Sequence, residues 1–324
     1  MYGDWQVGAL TAEEYVREAT RWARAIRMLD PHARLVNCGM NGWNEWDRIV
    51  IDGMASIVDY HSLHIYTGSD DYWTNVLQPH QAERAIRCTQ ALIQRVAYRQ
   101  KIATPPRIAY DEWNVWYRQM TGALEERYTF ADALAVGTYL NIFIRNCDWV
   151  QMANLAQMVN AIAPIVTSPE AAAVQPIWYP VLLHSQAALE MAVDVHVNGP
   201  VVSPDLPAGA SRWPFRVGDL GPFGLIDAAA TVSGAGVNAH SVAVTVVNRS
   251  PGEELAEVLL RDYAFAGSAQ IRTVTAARPG DTRTLPDVET AQLEEGSENP
   301  KDGMVAIRLP PRSFTVIEAT MTDR

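Results

Sequence analysis

The sequence predicts an α/β first half built on a parallel sheet, followed by an all-β second half. Three observations carry this reading. Strand-type and helix-type patterns alternate over roughly the first 165 residues, as βαβ units do. The composition then shifts, and residues 197–224 are rich in glycine and proline (VNGPVVSPDLPAGASRWPFRVGDLGPFG). Beyond that stretch, β-type runs follow one another with no helical period between them. The chain has 324 residues, which at ~150 residues per domain is about two domains.

The elements can be placed in order. Thr11-Ala-Glu-Glu14 is a capping box, in which a side chain at each end satisfies a backbone N–H of the other. It opens a helix whose apolar face is Tyr15, Ala19, Trp22, Ala23, Ile26 and Leu29, stopped by Asp30-Pro31. RLVNCG at 34–39 reads as a short buried strand, IVDYHSLHIY at 57–66 as a second and RIAYDEWN at 107–114 as a third. A helix around 81–99 separates the last two. Another helix over 124–145 precedes a fourth strand at 149–155, WVQMANL. Strands separated by helices of this length pair in parallel. The later runs SVAVTVV (241–247), IRTVTA (271–276), 304–309 and 313–318 predict an antiparallel sandwich, with GSENPKDG at 296–303 as a loop.

Composition excludes several functions. Apolar residues make up 48% and charged residues 19%, a globular balance. The 26 basic and 37 acidic residues give a net charge of −11. Such a chain repels phosphate backbones, so no nucleic-acid partner is expected. No apolar run reaches the ~18 residues of a membrane span, so no membrane partner is expected either. Cys38, Cys88 and Cys147 are too widely spaced for a disulfide framework or a zinc site and read as plain buried or half-buried thiols. G-x-S-x-G, a Gly-rich phosphate loop and H-E-x-x-H are all absent.

Parallel βα units place reactive groups at the C-terminal ends of their strands. The third strand ends in Tyr110-Asp111-Glu112-Trp113-Asn114. By period two, Tyr110, Glu112 and Asn114 share one face, and Asp111 and Trp113 the other. The carboxylates either pair with an arginine or perform chemistry. On the second strand His61 and His64 fall on opposite faces, which argues against a two-histidine metal site, while His64 and Tyr66 project together. The fourth strand ends in an amide-rich stretch with Asn154, Gln157 and Asn160, suited to capping loops or to binding hydroxyls.

Together, IAYDEWNVWYR, SLHIYTG and MANLAQMVNAIAPI, each at its place in the βα order, resemble glycoside hydrolase family 51, the α-L-arabinofuranosidases. The resemblance implies a (β/α)₈ TIM barrel followed by a jelly-roll sandwich, with this chain holding the C-terminal half of the barrel (strands five to eight). The implied division is residues 1–178 for the partial barrel and 179–324 for the β-sandwich. Glu112 would be the nucleophile of a retaining mechanism. His64 and Tyr66 would line the arabinofuranosyl subsite. Gln157 would bond sugar hydroxyls, with Asn160 a weaker candidate. Trp113 and Trp116 would sit beside the nucleophile, and Trp5 near the pocket rim.

The opening MYGDWQVG resembles the stretch that follows the family's acid/base Gly-Asn-Glu, with Met1, Trp5, Gln6 and Gly8 fitting it. The acid/base glutamate is therefore expected just ahead of Met1, and the 324-residue chain by itself is expected to be inactive. Glu45 in GWNEW mimics the Asn-Glu pair but follows the fifth strand rather than the fourth, so it reads as a loop carboxylate, exposed or paired with Arg48. The implied substrates are arabinan, arabinoxylan and their oligosaccharides. Two alternatives are a non-catalytic sugar-binding or scaffold protein derived from the same fold, and an endo-acting glucanase of the same family. No metal or organic cofactor is called for. The resemblance also implies a homo-oligomer, commonly a hexamer, and a cytoplasmic protein. No signal peptide is visible in the opening residues, which carries little weight if residues precede Met1.

Overall fold

A computed structural model describes residues 8–116, 126–206, 217–234, 239–281 and 291–323. Met1, Trp5 and Gln6 lie outside the described residues. The chain folds into two compact units interleaved in sequence. The first comprises Met1–Tyr66, Gln81–Asn114 and Asn146–Ala156, and the second Thr67–His80, Val115–Arg145 and Gln157–Arg324.

The order of elements begins α1 (Ala12–Leu29), β1 (Val36–Asn37), α2 (Glu45–Met54), β2 (Tyr60–Thr67), α3 (Tyr72–Leu77), α4 (His80–Gln100), β3 (Arg107–Val115), α5 (Phe130–Arg145) and β4 (Val150–Leu155). It continues through β5 (Ile165–Thr167), β6 (Ala172–Val174), α6 (Trp178–Ala187), β7 (Met191–Val193), β8 (Val201–Val202), β9 (Phe223–Gly224) and β10 (Ile226–Val232). The last strands are β11 (Ser241–Asn248), β12 (Glu254–Leu259), β13 (Tyr263–Phe265), β14 (Ala269–Ala276), β15 (Ala291–Glu298), β16 (Met304–Leu309) and β17 (Ser313–Asp323). Among the described residues no helix is long and apolar enough to cross a membrane.

In the first unit the four strands form one sheet in the order β1-β2-β3-β4. β1 pairs with β2 in parallel, as does β3 with β4. The capping box forms as read: Thr11 Oγ1 accepts from the Glu14 N–H at 3.2 Å, and the Glu14 carboxylate accepts from the Thr11 N–H at 2.9 Å. α1 packs on α2 through Ala12, Tyr15, Val16 and Ala19 against Trp46, Val50 and Met54. Gly53 permits the approach, since a Cβ there would lie 2.5 Å from Val16 Cγ1. The apolar face of α1 is buried only in part. Ala23 is buried, but Trp22 is 63% exposed and Leu29 90%.

The second unit is dominated by an antiparallel sheet in the order β15-β14-β17-β11-β10-β7, with β13 also pairing with β17. Alternation along its central strands sends side chains to two separate cores. Val242, Val244, Val246 and Ile317 meet Val305, Ile307 and Leu309 of β16. Ala243, Val247, Phe314 and Val316 meet Leu134 of α5 and Leu183 of α6. A Cβ on Gly137 would lie 2.8 Å from the Phe314 ring, so the glycine sets how closely α5 approaches the sheet. β11 is buried on both faces, which is why it reads as an apolar run rather than a strict alternation.

A charge cluster is buried under α5. Asp227 of β10 accepts from Asn141 Nδ2 at 2.8 Å and from Arg145 Nη1 at 3.1 Å, and lies 3.4 Å from Arg249 Nη2. Arg249 is 1% exposed. Burial pushes the Asp227 carboxyl up, but Arg249, Arg145 and His80 outweigh it and hold its pKa at about 2.

The structure corrects several sequence expectations. Glu45, expected on a loop, is instead the first residue of α2, whose N-cap Asn44 accepts from the Trp46 N–H at 3.0 Å. α6 interrupts the all-β half. Its apolar residues (WYPVLL) are followed by polar ones (HSQ) rather than interleaved with them, so no amphipathic period marks it. The expected loop at 296–303 is shorter, since β15 runs to Glu298. All three cysteines are free, but Cys147 is exposed rather than buried.

Replacing Asp227 with Asn leaves Arg249 buried without its counter-charge. This should destabilise the chain by about 3–5 kcal/mol at neutral pH, read as a lower urea midpoint. Because the folded pKa lies below the ordinary 3.8, the Asp227 contribution is present above about pH 4 and is lost as pH falls toward 2. The acid-unfolding limb across that window should flatten in the variant.

Candidate active site

Alternation along β2 sorts its side chains. His61, Leu63 and Ile65 point into the interior and are almost fully buried. Ser62, His64 and Tyr66 share the other face, and His64 and Tyr66 are half-buried there. On β3 the alternation breaks. Tyr110 pairs with Ala153 and Trp113 with Leu155, so three steps along β3 oppose two along β4. This is a β-bulge, which re-aims side chains beside it. The expectation that Asp111 and Glu112 lie on opposite faces is thereby corrected, since both find partners on the same face of β2.

Tyr66 donates its hydroxyl to Glu112 Oε1. Ser62 Oγ donates to Asp111 Oδ1 at 2.8 Å. His64 Nδ1 lies 3.4 Å from Ser62 Oγ and 3.9 Å from Asp111 Oδ1. The partners found for the two carboxylates are thus a hydroxyl each, where an arginine was one of the two sequence readings. Glu112 is exposed. Burial raises Asp111 above the usual carboxylate range, against the pull of Ser62 and His64. Burial lowers His64, while Asp111 and Glu112 pull it the other way. Tyr66 is raised by burial and by the carboxylate it bonds, which keeps it a protonated donor at neutral pH.

One buried carboxylate organises the approach to this face. Asp47, fully buried in the first turn of α2, accepts from the backbone N–H groups of Met40 at 2.6 Å, Asn41 at 3.2 Å and Gly42 at 2.9 Å. Its Oδ1 also lies 3.0 Å from His61 Nε2. The turn so held accepts in its turn from His64, whose N–H bonds the Met40 carbonyl at 2.9 Å. Gly39 is required here, because a Cβ would fall 1.8 Å from the Ser62 carbonyl oxygen. Gly42 has a φ of +83°, a region glycine enters without strain. The Cys38 thiol beside this turn is pushed up to about 11 by burial, with Asp111 and Asp47 adding to it, so it remains protonated.

The structure therefore brings together His64, Tyr66 and Glu112 from the sequence reading and adds Asp111 and Ser62. Trp113 follows Glu112 but is 1% exposed. Gln157 and Asn160 belong to the second unit. Gln157 is exposed. The Asn160 amide is engaged locally: its Oδ1 accepts from the Thr167 N–H at 2.8 Å and its Nδ2 donates to Thr167 Oγ1 at 3.0 Å. Trp5 lies outside the described residues. Glu45 is 65% exposed and paired with Arg48, as expected. The sequence reading missed Asp47, whose only signal is a glycine-flanked turn, GMNG, ahead of a helix cap.

Residues 111–313 match a family model described as the α-L-arabinofuranosidase C-terminal domain. A probable α-L-arabinofuranosidase C from Aspergillus clavatus is 32% identical over 98% of this chain and 63% of its own length. The chain belongs to the α-L-arabinofuranosidase family. An intracellular exo-α-(1→5)-L-arabinofuranosidase from Halalkalibacterium halodurans is 36% identical over 62% of this chain and 44% of its own. The arabinose complex of an α-L-arabinofuranosidase from Thermotoga maritima superposes with a TM-score of 0.85 at 26% identity, covering 98% of this chain and 64% of that one. A glycoside hydrolase family 51 arabinofuranosidase from Thermotoga petrophila gives 0.83 at the same identity. Within family 51 the chain matches the C-terminal portion, and it spans 63–64% of the length of the Aspergillus and Thermotoga maritima proteins.

Asp47 makes its own test of the site architecture. Asp47→Ala leaves three amides and His61 without their acceptor. It should lower folding stability by about 3–5 kcal/mol, the cost of breaking a buried polar network, measured by urea unfolding. A change below about 1 kcal/mol would show that the turn holds itself.

Proposed function

We propose that this chain carries the nucleophile of a retaining α-L-arabinofuranosidase acting on terminal arabinofuranosyl groups of arabinan and arabinoxylan oligosaccharides. The observation that carries the reading is Glu112, an exposed carboxylate near the C-terminal end of a parallel strand, bonded by the Tyr66 hydroxyl. Reactive groups of βα folds sit at such strand ends. The names of the relatives support the substrate class.

On this reading the ionised Glu112 attacks the anomeric carbon, and the leaving oxygen takes a proton from a second carboxyl. The same second carboxyl then activates water, which releases arabinose from Glu112. Retention needs the two carboxyls ~5 Å apart. Tyr66 holds one oxygen of Glu112 and leaves the other to attack. His64 and Tyr66 would line the arabinofuranosyl subsite, with Trp113 beside the nucleophile and Trp5 near the pocket rim, as the resemblance implies. The second carboxyl is the glutamate expected ahead of Met1. The parallel sheet then corresponds to strands five to eight of a (β/α)₈ barrel over residues 1–178, and the antiparallel sheet to a jelly roll over 179–324. Among the described residues β1 and β4 are the outer strands of the sheet, an order that fits four consecutive strands of such a barrel.

In the protein that includes the second carboxyl, Glu112→Gln should lower turnover of 4-nitrophenyl α-L-arabinofuranoside by about 10³-fold or more, the scale of losing a covalent nucleophile. Retained activity overturns the assignment. Tyr66→Phe removes one hydrogen bond to a charged group and should cost about 10–150-fold in kcat/KM. The 324-residue chain alone should release no 4-nitrophenol above the uncatalysed rate.

A further inference from the structure

The four-stranded sheet of the first unit has two bare edges. Among the described residues β1 pairs only with β2, and β4 only with β3. Free strand edges are usually blunted by charged side chains or proline. Val36-Asn37 and Val150–Leu155 carry neither. The outer strand β15 of the antiparallel sheet is charged instead, through Glu294, Glu295 and Glu298. The faces beside the two bare edges are open as well. Gln151, Met152, Ala153 and Asn154 follow one another along β4 and all are exposed, so neither face of that strand is covered. At the opposite edge a groove of about 380 Å³ lies between α1 and β1, with Ala19, Trp22, Ile26, Leu35 and Val36 in its apolar lining. Asn37 lines it too, buried, with neither atom of its amide hydrogen-bonded.

We propose that two copies of the 324-residue chain close on each other, β4 of each seated in the groove beside β1 of the other, to make one eight-stranded parallel barrel. The number of strands carries the closure. A parallel βα barrel closes at eight, and the sheet supplies half of them in chain order. A twofold axis along the barrel makes both β4-to-β1 contacts at once, so no edge is left to add a third copy. Each contact gives a backbone ladder to two strands that lack one on that side. It also withdraws Trp22, Ile26, Val36 and Met152 from water, which drives the association. The proposal rests on the half-barrel reading of the sheet. The dimer holds Glu112 twice but not the glutamate expected ahead of Met1, so its readout is mass and not hydrolysis.

The test is sedimentation equilibrium of the purified 324-residue chain at micromolar concentration. A species of two chains is expected, with nothing larger. Trp22→Glu on α1 and Met152→Glu on β4 each put an unpaired charge into both contacts and should raise the dimer dissociation constant about 100-fold or more. Leu255→Glu on β12, at a position 64% exposed, should leave it unchanged. Trp22 and Met152 are open to solvent in the single chain, so both variants keep the fold, checked by far-UV circular dichroism. Should either fail to fold, Ile26→Glu on α1 and Gln151→Lys on β4 take their places. A monomer overturns the proposal, and so does an open series of larger species. So does a dimer that only one of the two variants weakens, since it would use one edge alone. A monomer would leave the half-barrel reading standing. The Glu112→Gln kinetics decide the nucleophile and leave the mass untouched.

Discussion

The bulge in β3 between Tyr110 and Trp113 determines which side chains meet at the candidate site. A regular strand would send Asp111 and Glu112 to opposite faces of the sheet. With the extra residue, both carboxylates reach the one face of β2 that carries Ser62, His64 and Tyr66. Two adjacent acids thereby receive separate environments. Glu112 is exposed and receives a phenol proton. Asp111 is half-buried, receives a serine proton and stands beside an imidazole. Such separation is what lets neighbouring carboxylates differ in role.

Both units rely on a buried carboxylate to satisfy donors that packing has taken from water. In the first unit Asp47 collects three backbone amides and His61. In the second, Asp227 collects Asn141 and two arginines. The physical logic is shared, since a buried donor without an acceptor costs more than the net gain from pairing it. The roles differ. Asp227 ties a helix to a sheet, whereas Asp47 shapes the turn on which the His64 backbone is hung.

Much of the fold was legible because it follows from local pattern. Thr11 and Glu14 announce a helix start, and the structure has both hydrogen bonds of the box. SVAVTVV announces a central strand, and β11 is buried on both faces. The family was legible too, since IAYDEWNVWYR and SLHIYTG are specific strings. What escaped was structure without period. α6 has its apolar residues first and its polar ones last, so it shows no stripe, and the ten residues of α2 give its period, Trp46, Val50 and Met54, only two turns in which to show. The amide of Asn160, read as a weaker sugar ligand, is spent on Thr167.

The amino-acid sequence by itself determined the four parallel strands with α1, α4 and α5 among them, the placing of His64, Tyr66 and Glu112 at strand ends, and membership of the arabinofuranosidase family. These follow from periodicity and from residue identity, which are local. Only the tertiary structure decided that Asp111 joins His64, that Asp47 holds the turn beneath it, and that α1 leaves Trp22 and Leu29 exposed. Each depends on contacts between residues distant in sequence, on a register shift, or on how much of a helix face its neighbours cover. None of these is encoded in the spacing of residues along one element.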